Sequence, residues 1–215
     1  STLFPAPARP AFGGFVANQM RAVAARGDVS LDMVNPVGLP PWPLTRHRHY
    51  QALSALPLEE DWHGTPVYRP RFLHLPGLQG RLDAGAMTRA LCPVFDCIRD
   101  DFRFDIIDAE YFFPDGPAAV ALGKRYGVPV SVKARGSDIH LWGRAPATAS
   151  QVLRAGRNAD GMLAVSAPLK ADMVALGMPA SRIAVHYTGV DLDQFRVEDW
   201  AVAKAAIMDA TAARQ

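Results

Sequence analysis

Cysteine is nearly absent from this chain: Cys92 and Cys97 are the only two in 215 residues. They fall on a predicted helix, five positions apart, and so point about 140° away from each other. A disulfide between them would distort that helix. Two free, buried thiols fit a reducing cytoplasm. Charge of one sign is scarce too. The net charge is +2, too small to argue for nucleic acid, and no Lys/Arg stripe is interleaved with aromatics. No apolar run approaches the ~20 residues that span a bilayer. The opening Ser1-Thr2-Leu3-Phe4-Pro5 lacks the basic and apolar regions of a signal peptide. Neither G-x-G-x-x-G nor a P-loop is present, which argues against a dinucleotide dehydrogenase and a P-loop kinase. There is no internal repeat and no low-complexity tract.

What is present is a soluble, globular composition, 49% hydrophobic and 20% charged. The length suits one large domain or at most two small ones, with no place to divide the chain before about Gly189. Three short apolar runs stand out. They are Asp105–Ala109, Val128–Lys133 and Gly161–Val165, each ending in Gly, Asp, Ser or Arg and each followed by a helical pattern. With Ile183-Ala184-Val185 they read as strands apolar on both faces and separated by helices. That pattern calls for a parallel sheet covered on both sides. Upstream, Leu3-Phe4 reads as the tail of a first strand, Val29–Val34 as a second and Pro66–Tyr68 as a third. The fold class expected is α/β, a Rossmann-like three-layer sandwich around a mostly parallel sheet of about seven strands.

The helices expected are Phe15–Ala25, Leu82–Phe102, Pro114–Tyr126, Pro146–Asn158, a segment from Ser166 to Leu176, and Val197–Ala213. Pro93 should break or kink the second of these. Ser166 can cap its helix, and Gly127 and Gly177 can end theirs. Gly38 to Gly64, rich in Pro, Trp and His, reads as a long connection. Within it, Arg46-His47-Arg48-His49 is either a solvated loop or a contact for phosphate or anionic lipid. Its two His without a third ligand make a poor metal shell.

Polar residues at the carboxyl ends of parallel strands are where open α/β sheets bind ligands. Gly13 and Gly14, between the first strand and first helix, let backbone N–H groups approach a phosphate; a turn required by sterics explains them equally well. Asp108 and Glu110, at i and i+2, point to one side. They can bind sugar hydroxyls or supply a base. Tyr111 beside them is a stacking surface or core. Arg135 can fork to a phosphate or carboxylate, and Asp138 can cap a helix or bind a hydroxyl. Thr188-Gly189-Val190-Asp191 and Asp193 read as a structural exit from the sheet rather than a metal-binding D-x-D.

In order and spacing, these segments resemble the N-terminal half of a family 4 (group 1) glycosyltransferase. This is the retaining type built from two facing Rossmann-like domains, the GT-B fold. The match is densest at 104–110, 114–116, 135–138, 164–166 and 189–195. The resemblance implies an acceptor-side domain over 1–195. Residues 196–215 would form a C-terminal helix or the start of a linker, with the second, donor-binding domain expected to be absent.

It implies transfer of a sugar from a nucleotide-sugar donor to a saccharide or lipid-linked acceptor. Arg135, Glu110 and Asp138 would serve catalysis. Gly13 and Gly14 would approach the donor diphosphate. Asp108, Tyr111, Ser137, Ser166 and Thr188 would contact substrate. No cofactor or metal is expected, and the isolated chain should be inactive. A cytoplasmic location, with peripheral contact at the inner face of the membrane, is an expectation at the level of the family. There are departures: Asp108 and Glu110 stand where relatives often carry His-x-His, Arg135 replaces a His, and Thr188 replaces an Asn. The rival readings are a stand-alone Rossmann-like binding or regulatory module and half of a sugar-nucleotide epimerase.

Overall fold

A computed structural model describes residues 1–6 and 9–190. The strand-helix alternation expected for the second half is there. Strands β6 (Ile107–Ala109), β7 (Val130–Ala134), β8 (Gly161–Ala164) and β9 (Ile183–Val185) form one sheet in that order. Every pairing in it is parallel. Between them run α4 (Asp115–Tyr126), α5 (Ala149–Asn158) and α6 (Ala167–Ala175). Val132, Ala134, Met162 and Ala164 are wholly buried and, as alternate residues, form one face of the two central strands; the other face carries Ser131, Lys133 and half-buried Leu163, so these strands are not apolar on both faces as expected. Gly127 closes α4 in a left-handed conformation (φ 68°). Gly123 is glycine for a different reason: a Cβ there would lie 2.2 Å from Val130 Cγ2, so only glycine lets α4 lie this close to β7.

The single sheet of about seven strands is not what the first half builds. Two smaller sheets appear among the described residues. One has three strands, β1 (Met33–Val34), β4 (Thr65–Tyr68) and β3 (Glu59–Trp62); the other pairs β2 (Val37–Leu39) with β5 (Arg71–Leu73). Only β3 and β4 run antiparallel. The reason for the split is local. Leu3-Phe4 joins no ladder, and the expected second strand shrinks to Met33–Val34. So β1 and β6 are both edge strands. Between them lies a cleft of about 760 Å³, bordered by 28–34 on one side and 102–110 on the other. Met87, Leu91, Phe95 and Ile98 of α3 (Asp83–Asp101) help to line it.

The long connection also proves structured. Gly38 to Gly64 contains most of β2, the short helix α2 (Arg48–Ser54) and β3. His63 and Gly64 both have positive φ, at 53° and 83°, the backbone of a tight hairpin turn. The strand β5 went unread because Pro70 and Arg71 hide a three-residue element. Pro93 sits inside α3 without ending it. Buried Met87 and Leu91 before it and Ile98 after it hold the helix against its neighbours. Cys92 is half-buried and Cys97 exposed, so the pair is not buried as expected, and both are free. The expected helix Val197–Ala213, Asp191, Asp193 and the boundary at 195 lie outside the described residues.

The two halves point the same way. The Ser1 amino group donates to the Val34 carbonyl at 2.5 Å, and the Thr2 N–H donates to Asp115 Oδ2 at 2.8 Å. Adjacent residues thus tie the carboxyl end of β1 to the start of α4, just past the carboxyl end of β6. One edge therefore collects the loops from both halves.

Candidate active site at the carboxyl edge of the sheet

Glu110 leaves β6 and turns inward, only 2% exposed. Arg135 leaves β7 beside it. The guanidinium Nη2 pairs with Glu110 Oε2, and Nε donates to the Glu110 carbonyl at 3.3 Å. Nη1 donates to Thr188 Oγ1 at 3.1 Å, beyond β9. Arg135 also lies over the Phe15 ring, 4.7 Å from its centre. Phe15 belongs to α1 (Gly14–Ala24). One side chain thus connects loops after three strands and the first turn of α1. Buried ion pairs of this kind cost desolvation and survive only when their remaining donors are satisfied.

The satisfaction comes from residues that sequence reading missed. Gln19 of α1 donates to Glu110 Oε1 at 2.5 Å, and its own carbonyl accepts from Lys133 Nζ at 2.5 Å and from Arg135 Nη2 at 3.4 Å. Lys133 is wholly buried on β7. Its ammonium also donates to His186 Nδ1 at 2.9 Å, which puts the imidazole proton of a neutral His186 on Nε2. Burial pushes the Lys133 ammonium below its ordinary range, opposed by the Glu110 carboxylate. A Lys inside a largely buried strand was a legible signal, since Lys is almost never buried without partners. Gln19 carried no such signal, because nothing local distinguishes it from any other helix position.

Asp108 borders the cleft with Glu110, Gln19 and His186. Its side chain is exposed to the cleft, yet its carboxyl is pushed up to about 6, first by desolvation from the surrounding cleft walls and then by the charge of Glu110. Tyr111 and Ser137 exchange a hydroxyl hydrogen bond of 2.8 Å near the surface. Asp138 is wholly buried, and its carboxylate accepts from the N–H groups of Phe112, Arg135, Gly136 and Ile139 at 2.7–3.1 Å. That geometry makes it the anchor of the 135–139 loop. Ser166 accepts from the Leu169 N–H at 3.2 Å and caps α6.

Gly13 precedes α1 with φ 72°, and a Cβ there would come 2.6 Å from Leu3 C and Phe4 N. Steric necessity therefore accounts for this glycine. Gly14 has open space where its Cβ would be, and no side chain caps the N-terminus of α1. The structure so brings Gly14, Glu110, Arg135 and Thr188 to one edge with Asp108, Tyr111 and Ser137 nearby. Among the described residues no group of acidic, His and Cys side chains is arranged to hold a metal ion. No helix among them is long and apolar enough to cross a membrane.

An α/β domain with a parallel sheet and charged residues at its carboxyl edge is a Rossmann-like fold, and comparison with solved structures of the GT-B class narrows it to one half of that architecture. Anabaena HepE, solved in complex with UDP, matches with a TM-score of 0.50 at 15% identity, covering 82% of this chain and 42% of that one. The same protein with UDP and glucose gives a TM-score of 0.50 at 14% identity, over 81% and 42%. A UDP-N-acetylglucosamine 2-epimerase has a TM-score of 0.38 at 15% identity, over 79% and 52%. This chain thus spans less than half the length of HepE. No curated protein matches. The model of Glycosyltransferase Family 4 matches residues 52–194, well over half of the sequence, and the chain belongs to that family.

Proposed function

We propose that this chain is the acceptor-side domain of a retaining glycosyltransferase that moves a sugar from a nucleotide-sugar donor to a saccharide or lipid-linked hydroxyl. The observation that carries the reading is the family match over a region whose strand ends converge on the Glu110–Arg135 pair. The leaving group of such a transfer is a nucleoside diphosphate, which gains charge as the glycosidic bond breaks. The uncapped N-terminus of α1 at Gly14 offers N–H groups and a favourable dipole to that charge. Preorganised donors of this kind stabilise a transition state without reorganising. Arg135 adds a fixed cation beside them, held in place by Glu110, Gln19 and Thr188. Asp108, with its raised pKa, is the carboxyl best suited to exchange a proton with an acceptor hydroxyl near neutral pH. A second domain would supply most of the nucleotide site and close the cleft.

UDP-glucose as donor and UDP as the released product are the ligands to test first, because HepE has been solved with both. Titration of the chain followed by amide NMR should shift Gly14, Phe15 and the 135–137 loop, with weak affinity, about millimolar. Turnover should be negligible without the second domain. Shifts confined to other surfaces, or none at all at saturating donor, would overturn the reading.

A further inference from the structure

The cleft between β1 and β6 has walls of two kinds. Two of them are apolar. Met33 of β1 joins the cluster of Val16 and Met20 from α1, whereas its neighbour Val34 packs against the cluster that holds Met87 and Leu91 of α3. Successive side chains of a strand point to opposite faces. So α1 covers one face of the cleft and α3 the other. The remaining two walls are main chain. The Asn35 N–H donates to the Tyr68 carbonyl at 2.8 Å, and the Ile107 N–H to the Pro129 carbonyl at 3.1 Å. Parallel strands turn alternate residues to alternate neighbours, so the N–H and C=O of Val34 and of Asp108 face the cleft from its two sides. One of these groups is already engaged as in a ladder: the Val34 carbonyl accepts from the Ser1 amino group at 2.5 Å. The Ser1 carbonyl accepts from Asn35 Nδ2 at 2.8 Å, one residue further along, so the chain at Ser1 runs parallel to β1. Asp115 borders the same cleft and is 5% exposed. Its Oδ2 takes the Thr2 N–H, while Oδ1 is buried without a partner.

We infer that this cleft is the socket of one more strand: an extended apolar segment, continuous with Ser1 on its amino side, that runs between β1 and β6 parallel to both and joins them in a single sheet. A small apolar ligand would fill the space but leave the N–H and C=O groups of Val34 and Asp108 dry and unpaired, an outcome that buried polar groups avoid. An extended chain presents donors and acceptors to both edges at once, and apolar side chains to both covers. The volume of about 760 Å³ suits a strand of ordinary length, about five or six residues. Proline is excluded from so central a position, because it has no N–H for the ladder. The inference goes beyond the transferase reading and does not rest on it. It bears on the site all the same. The cleft becomes part of the core rather than a substrate pocket. The added strand fixes the turn at Gly13 and Gly14 relative to β6, and the edge with Glu110 and Arg135 stays open.

The test appends Met-Lys-Val-Ile-Val-Val directly before Ser1 of the whole chain. The comparisons are the parent and a chain carrying Met-Lys-Gly-Ser-Pro-Ser at the same place. Hydrogen exchange followed by NMR reads the amides of Val34 and Asp108. The apolar extension should slow both by at least about a hundredfold and raise the urea midpoint, and the polar extension should do neither. Nuclear Overhauser contacts from the apolar extension to both β1 and β6 should show a parallel register. If the extended chain aggregates, the same apolar peptide, acetylated and added free at about millimolar concentration, is the second measurement, and it should slow the same two amides. Equal slowing by the polar extension, slowing at one edge alone, an antiparallel register, or no slowing by either form of the apolar segment would each overturn the inference. No nucleotide sugar is present, so failure here leaves the transferase reading to its own test at Gly14 and the 135–137 loop.

Discussion

The four-stranded sheet β6–β9 and the two small sheets of the first half achieve order by different means. The larger sheet is a buried apolar layer. Phe112, Leu122, Val132, Ile139, Met162 and Met173 are each no more than 1% exposed and belong to one cluster that α4, α5 and α6 share. The first half sends Phe72 and Val34 to that same cluster and otherwise divides its apolar contacts between two smaller ones, one around Phe4, Val16 and Val67 and another around Ala6, Val37 and Leu56. It relies on polar pins instead. Arg69, wholly buried, reaches Asn35 at 3.3 Å and Glu60 at 2.5 Å, and so holds three separate pieces of chain. Apolar layers give strength in proportion to area, whereas pins give register at little net gain. The larger sheet should therefore set the global stability and the smaller sheets should open first.

The largest effect is expected where that layer is deepest. Phe112→Ala should cost about 3–5 kcal/mol in urea unfolding, because it empties a fully packed site. Phe4→Ala, which removes an edge-to-face partner of Trp62 at 5.2 Å, should cost roughly 2 kcal/mol less, as a smaller cluster relaxes more readily. Hydrogen exchange sharpens the contrast. Amides of β1 and β4 should exchange at a lower free energy than those of β7 and β8. Equal protection in the two regions would show them to be one cooperative unit.

That contrast also explains which parts could be read in advance. Val130 to Ala134 and Gly161 to Ala164 announced themselves because each is a short run with alternate apolar residues, bounded by helical patterns. Glu59 to Trp62 did not, because an acidic edge strand has the composition of a loop and gains its order from the turn at His63-Gly64 and from Arg69. The candidate site was legible in the same uneven way. Glu110 and Arg135 stand where strands end, and strand ends can be located from pattern. Gln19 joins them only through tertiary packing of α1, which no local pattern encodes. Asp138 was visible as a residue of interest, yet sequence could not show that four N–H groups would claim its carboxylate.

A smaller effect is expected at the junction of the two regions. Glu110→Ala would take away the carboxylate that pairs with Arg135, whose side chain is 6% exposed, and that accepts from Gln19, while the other acceptors of Arg135 remain. Removing one partner of a buried pair costs about 3 kcal/mol. Glu110→Gln keeps an acceptor for Arg135 and should cost about half as much. If the alanine variant were as stable as the parent, the cluster would be an accessory to the fold rather than its clasp. A Gln19→Ala variant then separates the contributions, since it removes the bridge and keeps the ion pair.

The smallest effect lies at Asp108, on the cleft between the regions, and its sign is the informative part. In the folded chain this carboxyl titrates at about 6, and in the unfolded chain near the ordinary aspartate value of about 3.9. Between those values the folded state binds more protons than the unfolded one, so stability contributed by this group falls as pH rises through the window. Above about 6 it is ionised in both states and the loss is complete. Asp108→Asn removes the slope. The variant should match the parent near pH 4 and exceed it near pH 8, by about 1 kcal/mol at most once solvent screening at this exposed position is allowed for. Urea midpoints measured at both pH values test this, and other titrating groups cancel in the difference between the two proteins. A difference that did not change with pH would mean that Asp108 feels water more than it feels Glu110.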